Sequence, residues 1–280
     1  MAHPSKSPPH IIGFEEFVDL LNVEEIDTDL YRAQNPPAGR RRVLYGGQVL
    51  AQALKAAAAT VPADRLPHSL HGYFLRPGQV ERTTILKVNR DRDGRSFSAR
   101  HVVAVQDAQV ILSMSVSFHV DELGPELQVV PSPIVDPPGD LLHPNPQAAL
   151  GEFVDIFEFG LLVPEEPAGG GYWTNSRQLW MRTRGAMGPD PILHACVQTY
   201  ASDISTGFGD LHLPIMPPAG GPTLDHSLWF HRPLNVEEWF LLDQEPVITN
   251  GARGLYQGGL YDRNMRRCAS LAQEGLTRPA

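Results

Sequence analysis

Tyr45-Gly46-Gly47-Gln48-Val49-Leu50-Ala51-Gln52-Ala53-Leu54-Lys55-Ala56-Ala57-Ala58-Ala59-Thr60 reads as one helix, and the rest of the chain arranges itself around it. Ala, Leu, Gln and Lys are strong helix formers, and the interior of the run holds no Gly or Pro. Pro62 cannot continue the helix and marks its end. Val49, Leu50, Ala53, Leu54, Ala57 and Ala58 form one apolar face, while Ala51, Ala56 and Ala59 leave little polar surface opposite. A helix apolar all round is buried. Its small side chains let a sheet approach the backbone closely. Gly46-Gly47 at its start leaves backbone N–H groups open to an anion or a polarised carbonyl.

On either side lie a short helix and a series of strands. Residues 1–13 read as a loose tail. Phe14 to Leu21 is amphipathic, with Phe14, Phe17, Val18 and Leu21 on one face. Residues 24–42 are expected to hold one strand and a loop closed by Arg40-Arg41-Arg42. Four strand-like runs follow the long helix: His68–Leu75, Thr83–Arg90, Ser96–Gln106 and Val110–Val120. The third alternates Phe97, Ala99, His101, Val103 and Val105. Residues 121–150 are proline-rich and read as an extended linker, and Pro164 to Gly171 breaks the chain again. Tyr172 to Arg182 then reads as a strand.

Asp190-Pro191 is an N-cap followed by proline at the first helical position, and Ile192 to Ala201 is almost wholly apolar. This predicts a second buried helix. Four strand-like runs follow it: Leu224–Phe230, Trp239 towards Thr249, Ala252–Tyr261 and Cys268–Leu276. His68-Ser69-Leu70 and Phe74-Leu75-Arg76-Pro77 echo His226-Ser227-Leu228 and Phe230-His231-Arg232-Pro233. Helix plus four strands thus occurs twice, as in a duplication. Two sheets of this kind pair edge to edge, because exposed edges need covering.

The 280 residues, 42% hydrophobic and 20% charged, describe a globular chain with room for a large core. A net charge of −9 argues against a general nucleic-acid or anionic-membrane binder. Cys196 and Cys268 match no metal spacing and read as small core residues in a reducing compartment. There is no charged-then-apolar leader, no apolar run of about 18 residues, and no peroxisomal signal in Thr277-Arg278-Pro279-Ala280, so a cytoplasmic protein is the expectation.

Chemistry is hard to find from residue types alone. No nucleophile elbow, phosphate loop, dinucleotide fingerprint or metal cluster is present. No cofactor or metal is called for. Neither cysteine has a flanking histidine. His71 and His231 read as hydrogen-bonded strand residues. Asp203, directly after the second helix, is either a paired, partly buried acid or an ordinary cap, and composition favours the cap.

Several short runs together resemble the type II acyl-coenzyme A thioesterases. They are Gly46-Gly47-Gln48-Val49, Tyr73-Phe74-Leu75-Arg76-Pro77-Gly78, Ser96-Phe97-Ser98-Ala99-Arg100, Tyr200-Ala201-Ser202-Asp203, Leu224-Asp225-His226-Ser227-Leu228-Trp229-Phe230-His231-Arg232-Pro233 and Ala272-Gln273-Glu274-Gly275. The resemblance spans about Phe14 to Gly275. It implies an α+β double hotdog: two helices, each wrapped by half of one continuous antiparallel sheet. The halves are expected at 14–120 and 151–280, with 121–150 between them. It also implies hydrolysis of fatty acyl-CoA by an activated water, with Asp203, Thr223 and Gln273 as catalytic residues. Gly46, Gly47 and Gln48 are the candidate oxyanion and substrate donors. The expected partners are acyl-CoA and further copies of the chain, as a dimer or tetramer, with no nucleic acid and no membrane. Two alternatives stay open: an acyl-CoA hydratase or dehydratase, and a non-catalytic acyl-CoA-binding protein. Hydration calls for an Asp–His pair, and no histidine lies near Asp203 in sequence. The turn Asp262 to Arg267 lacks an expected glycine, and Ser205 to Pro222 carries no readable motif.

Overall fold

A computed structural model describes residues 12–36, 42–135, 138, 151–161, 177–204 and 222–276. Its helices are α1 (Phe14–Leu21), α2 (Gly46–Ala58) and α3 (Pro191–Ser202). The strands of the first half are β1 (Val23–Asp27), β2 (Leu30–Ala33), β3 (Arg65–Phe74), β4 (Thr84–Asp93), β5 (Phe97–Gln106) and β6 (Gln109–Val120). Those of the second are β7 (Phe157–Leu161), β8 (Arg177–Thr183), β9 (Thr223–Phe230), β10 (Phe240–Asn250), β11 (Arg253–Asp262) and β12 (Arg267–Leu276).

All of these strands join one antiparallel sheet in the order β1-β2-β4-β5-β6-β3-β9-β12-β11-β10-β8-β7. The halves meet at β3 and β9, where Leu70 faces Leu228 and Gly72 faces His226. This is the edge-to-edge pairing expected from the repeat. Leu50, Ala53, Leu54 and Ala57 of α2 are fully buried under the sheet, as are Cys196, Val197 and Ala201 of α3. Both helices are apolar all round because each packs on the sheet and on its twin.

Three local features go beyond the sequence reading. The segment expected to hold one strand forms a hairpin, β1 paired with β2. Strand β7 and the 3-10 turn Gly151–Asp155 before it were not expected. In β5 the alternating set Phe97, Ala99, His101, Val103 and Val105 faces outward, while Ser98, Arg100, Val102, Ala104 and Gln106 are buried. Arg100 tolerates burial because its donors are met. It bonds Thr60 Oγ1 at 2.7 Å, Thr60 O at 3.0 Å and Asp93 Oδ1 at 2.7 Å. It thereby holds the chain just past the end of α2.

Residues 121–135 run without regular structure. Arg40 and Arg41, the stretch from Pro164 to Gly171, and Ser205 to Gly221 lie outside the described residues. Among the described residues no helix is long and apolar enough to cross a membrane.

Candidate active site

The site forms where the two central helices cross ends. The start of α2 meets the end of α3: the Gly47 N–H donates to Asp203 Oδ2 at 2.8 Å, and Tyr45 Oη donates to Tyr200 O at 3.0 Å. At the opposite ends, Lys55 Nζ meets Asp190 Oδ2 at 3.1 Å, and Asp190 Oδ1 caps α3 at the Ile192 N–H. The helices are therefore antiparallel. Asp203 is the C-cap of α3, an unfavourable place for a negative charge on its own helix. It sits instead against the positive end of α2. The glycines permit this approach. A Cβ on Gly46 would lie 2.9 Å from Asp203 Oδ2, and one on Gly47 2.6 Å from Tyr200 O. The anion-binding helix start read from the sequence is thus occupied, at Gly47, by the protein's own carboxylate.

Asp203 is buried, 7% exposed, so the cap reading gives way to the paired one. Its second oxygen, Oδ1, accepts from Gln273 Nε2 at 2.9 Å. The same amide nitrogen donates to Thr223 Oγ1 at 2.7 Å. Asp203, Thr223 and Gln273 are thus brought together with Gly46 and Gly47. The Gln48 side chain is buried and points elsewhere, its Nε2 3.5 Å from Gln34 O. The end of α3 is held from below, where Gln244 Nε2 donates to Ser202 O at 3.2 Å.

Behind Gln273 stands a residue with no assigned role in the sequence reading. In the β9–β12 register His226 pairs with Gln273. His226 Nδ1 lies 2.9 Å from Gln273 Oε1, and its Nε2 lies 2.8 Å from Ser202 Oγ. An amide oxygen only accepts, so Nδ1 carries the proton. Nε2 then accepts from the Ser202 hydroxyl, which also lies 2.9 Å from Thr199 O. Burial pulls the imidazole pKa down to about 4, against the raising effect of the Gln273 bond. His226 is therefore neutral at pH 7. It fixes which way the Gln273 amide points. Its distance from Asp203 in sequence had counted against an Asp–His pair; in space Gln273 stands between the two.

These groups open on a cleft of about 740 Å³. Asp203, Thr223 and Gly46 stand on its wall, with Val49, Phe74 and Ile111 supplying apolar surface. Arg42 and Arg76 also line it and bring positive charge. Neither cysteine takes part. Burial raises the Cys196 thiol to about 12 and the Cys268 thiol to about 11, so both stay protonated. His231 bonds Ser270 Oγ at 2.8 Å and His71 packs on Trp229, as strand residues do.

Comparison with known proteins adds three findings. A model of the acyl-CoA thioesterase N-terminal domain matches residues 35–119, and one of acyl-CoA thioesterase matches residues 162–276. The chain is 34% identical to acyl-CoA thioesterase 2 of Haemophilus influenzae, over 93% of this chain and 96% of that protein. It is 33% identical to acyl-coenzyme A thioesterase 8 of Homo sapiens, over 97% and 91%. Among solved structures, acyl-CoA thioesterase II TesB2 from Mycobacterium marinum superposes with a TM-score of 0.79 at 34% identity, over 94% of this chain and 98% of that one.

Proposed function

This chain belongs to the acyl-CoA thioesterase family and hydrolyses fatty acyl-CoA to a free acid and coenzyme A, and we propose that Asp203 and Thr223 hold the attacking water, with Gln273 positioning them both. One observation carries this reading: a single amide nitrogen of Gln273 bridges Asp203 Oδ1 and Thr223 Oγ1 on the wall of the cleft. The Thr223 hydroxyl accepts from Gln273, so its own proton donates to the water. That bond fixes the water's lone pair towards the thioester carbon. Ionised Asp203 takes the water's proton as the new C–O bond forms, and the carbonyl becomes an oxyanion. The C–S bond then breaks, and the departing thiolate recovers that proton from Asp203. General-base help of this kind is worth ~10²–10⁴ in rate.

Gly47 has given its N–H to Asp203, so the oxyanion donors are the neighbouring N–H groups of Gly46 and Gln48. The first N–H groups of any helix lack partners within it, which is what makes them available. The neutral His226 beside Gln273 supports hydrolysis over hydration, since it is fully buried and does not reach the cleft.

The test is coenzyme A thiol release across acyl-CoAs of increasing chain length, with Asp203→Asn beside the unaltered enzyme. Asp203→Asn is expected to bind acyl-CoA and lose at least ~10²-fold in kcat. Full activity in that variant would end the reading.

The same reading places the enzyme in the cytoplasm, to be checked by cell fractionation, and joins further copies of the chain through the outer side of the β3–β9 seam. Tyr73 and Trp229 are 57% and 40% exposed there, two separate aromatic side chains suited to a protein contact.

A further inference from the structure

The sheet has a pseudo-two-fold axis between β3 and β9, and so the cleft described above has an image. Superposing Phe74-Leu75-Arg76-Pro77 on Phe230-His231-Arg232-Pro233 sets one half on the other. The N-caps of the central helices, Tyr45 and Asp190, then match Gly46 to Pro191 and Val49 to His194. The first cleft is lined by Gly46, Val49, Phe74, Arg76 and Pro77. A second cleft, of about 450 Å³, is lined by their images Pro191, His194, Phe230, Arg232 and Pro233. Its size falls in the range of small-molecule sites, roughly 300–1,000 Å³.

The second cleft has lost the water-holding residues. The C-cap of α2 is Ala59, where α3 has Asp203. Thr223 is matched by Pro67. Gln273 is the cross-strand partner of His226; the image of His226 is Leu70, and its partner is Val116. An Ala, a Pro and a Val activate no water.

Yet the cleft is neither filled nor wholly apolar. Gln198 lines it, is 4% exposed, and its Oε1 has no hydrogen-bond partner. A buried acceptor without a donor is costly, and folded proteins keep few of them. His68 and His231 also line it. Each binds a serine through Nε2, Ser117 and Ser270 respectively, which leaves Nδ1 for a ligand. Arg232 is already held by Glu126 Oε1 at 2.6 Å and by Arg267 O, so it does not present a free cation for a polyphosphate. Leu66, Ala195, Phe230 and Leu234 supply apolar wall.

We propose that this second cleft binds a fatty acyl ligand without turning it over. The choice of ligand rests on the reading of the first cleft, whose frame it shares. The acyl chain comes either from acyl-CoA or from the free acid released next door.

Equilibrium dialysis of the Asp203→Asn protein, whose turnover is slowed, measures the number bound, with the remaining thioester assayed at the end. One arm uses labelled fatty acyl-CoA and the other the free acid of the same length. Two sites per chain are expected in at least one arm, and the arm identifies the source. Adding His231→Phe should weaken one site ~10-fold in either arm, the loss of one hydrogen bond, and Gln198→Met should do so for acyl-CoA alone, whose amide N–H groups can donate to Oε1. Neither change should alter kcat when made in the active enzyme. His231 is exposed, so its replacement keeps the test open if Gln198→Met fails to fold. One site per chain in both arms overturns the proposal, as does a second site indifferent to both variants. Failure of the first-cleft reading is separate, because it shows as absent thiol release by the active enzyme.

Discussion

Gln273 donates to Asp203 and Thr223 and accepts from His226, and its value lies in being uncharged. Gln273→Glu would set a carboxylate against Asp203 Oδ1, where the amide now stands 2.9 Å away. Two carboxylates so close share a proton, and the pair keeps it to higher pH. The acid limb of the kcat/KM profile is expected to move up by about one unit or more; an unmoved limb would remove Gln273 from the water site. His226 makes a different prediction. Its folded pKa, about 4, lies below the ordinary 6.5, so the unfolded chain binds the extra proton. Its contribution to stability is full above about pH 6.5 and is lost as pH falls towards 4, on the order of 3 kcal/mol in all. Burial lowers His68 and His231 as well, so thermal melts of the unaltered protein should be compared with His226→Asn. The variant should show a flatter fall between pH 6.5 and 4, and an identical fall would refute this account. Of these residues, Asp203, Thr223 and Gln273 were legible only through family resemblance. Composition alone made Asp203 a cap, since nothing in one sequence says that the start of another helix covers it. His226 was silent because its role comes from strand register.

At the scale of elements, the buried helices were plain in the sequence because apolar residues lie all round them, and caps and prolines mark their ends. The face of β5 was not, since a buried Arg100 and Gln106 defeat any reading by hydrophobicity. β7 was missed beside a stretch dense in Pro and Gly. The helix crossing yields a paired test. In Gly46→Ala the new Cβ meets the movable Asp203 carboxylate and the Phe74 ring; in Gly47→Ala it meets the Tyr200 carbonyl, which is backbone. Gly46→Ala is expected to keep most of its melting temperature and lose ~10-fold or more in kcat, as one ångström of misplacement does. Gly47→Ala is expected to lose ~1–3 kcal/mol of stability as well. Calorimetry beside kinetics checks both; equal stability losses would show that the two glycines serve packing alone.

For the whole molecule, the seam at β3 and β9 makes the halves one sheet, and Tyr73 and Trp229 stand exposed on its outer side. Sedimentation is expected to give a dimer or tetramer, with Trp229→Ala shifting it towards the 30.8 kDa chain. A monomer at micromolar concentration would refute the association. The repeat was legible because the echo around Arg76-Pro77 and Arg232-Pro233 survives. The strand order β1-β2-β4 at one margin and β10-β8-β7 at the other was not, because pairing across long loops leaves no local mark.

That mirrored strand order also bears on inheritance. In an assembly of two identical subunits, every mutation is made twice, once on each side of the axis. An acid placed at the end of one helix would appear at the end of the other, and neither cavity could change alone. Joining the halves in one chain removes that coupling. Asp203 can arise on α3 while α2 ends in Ala59, and each side can then be selected for a different property.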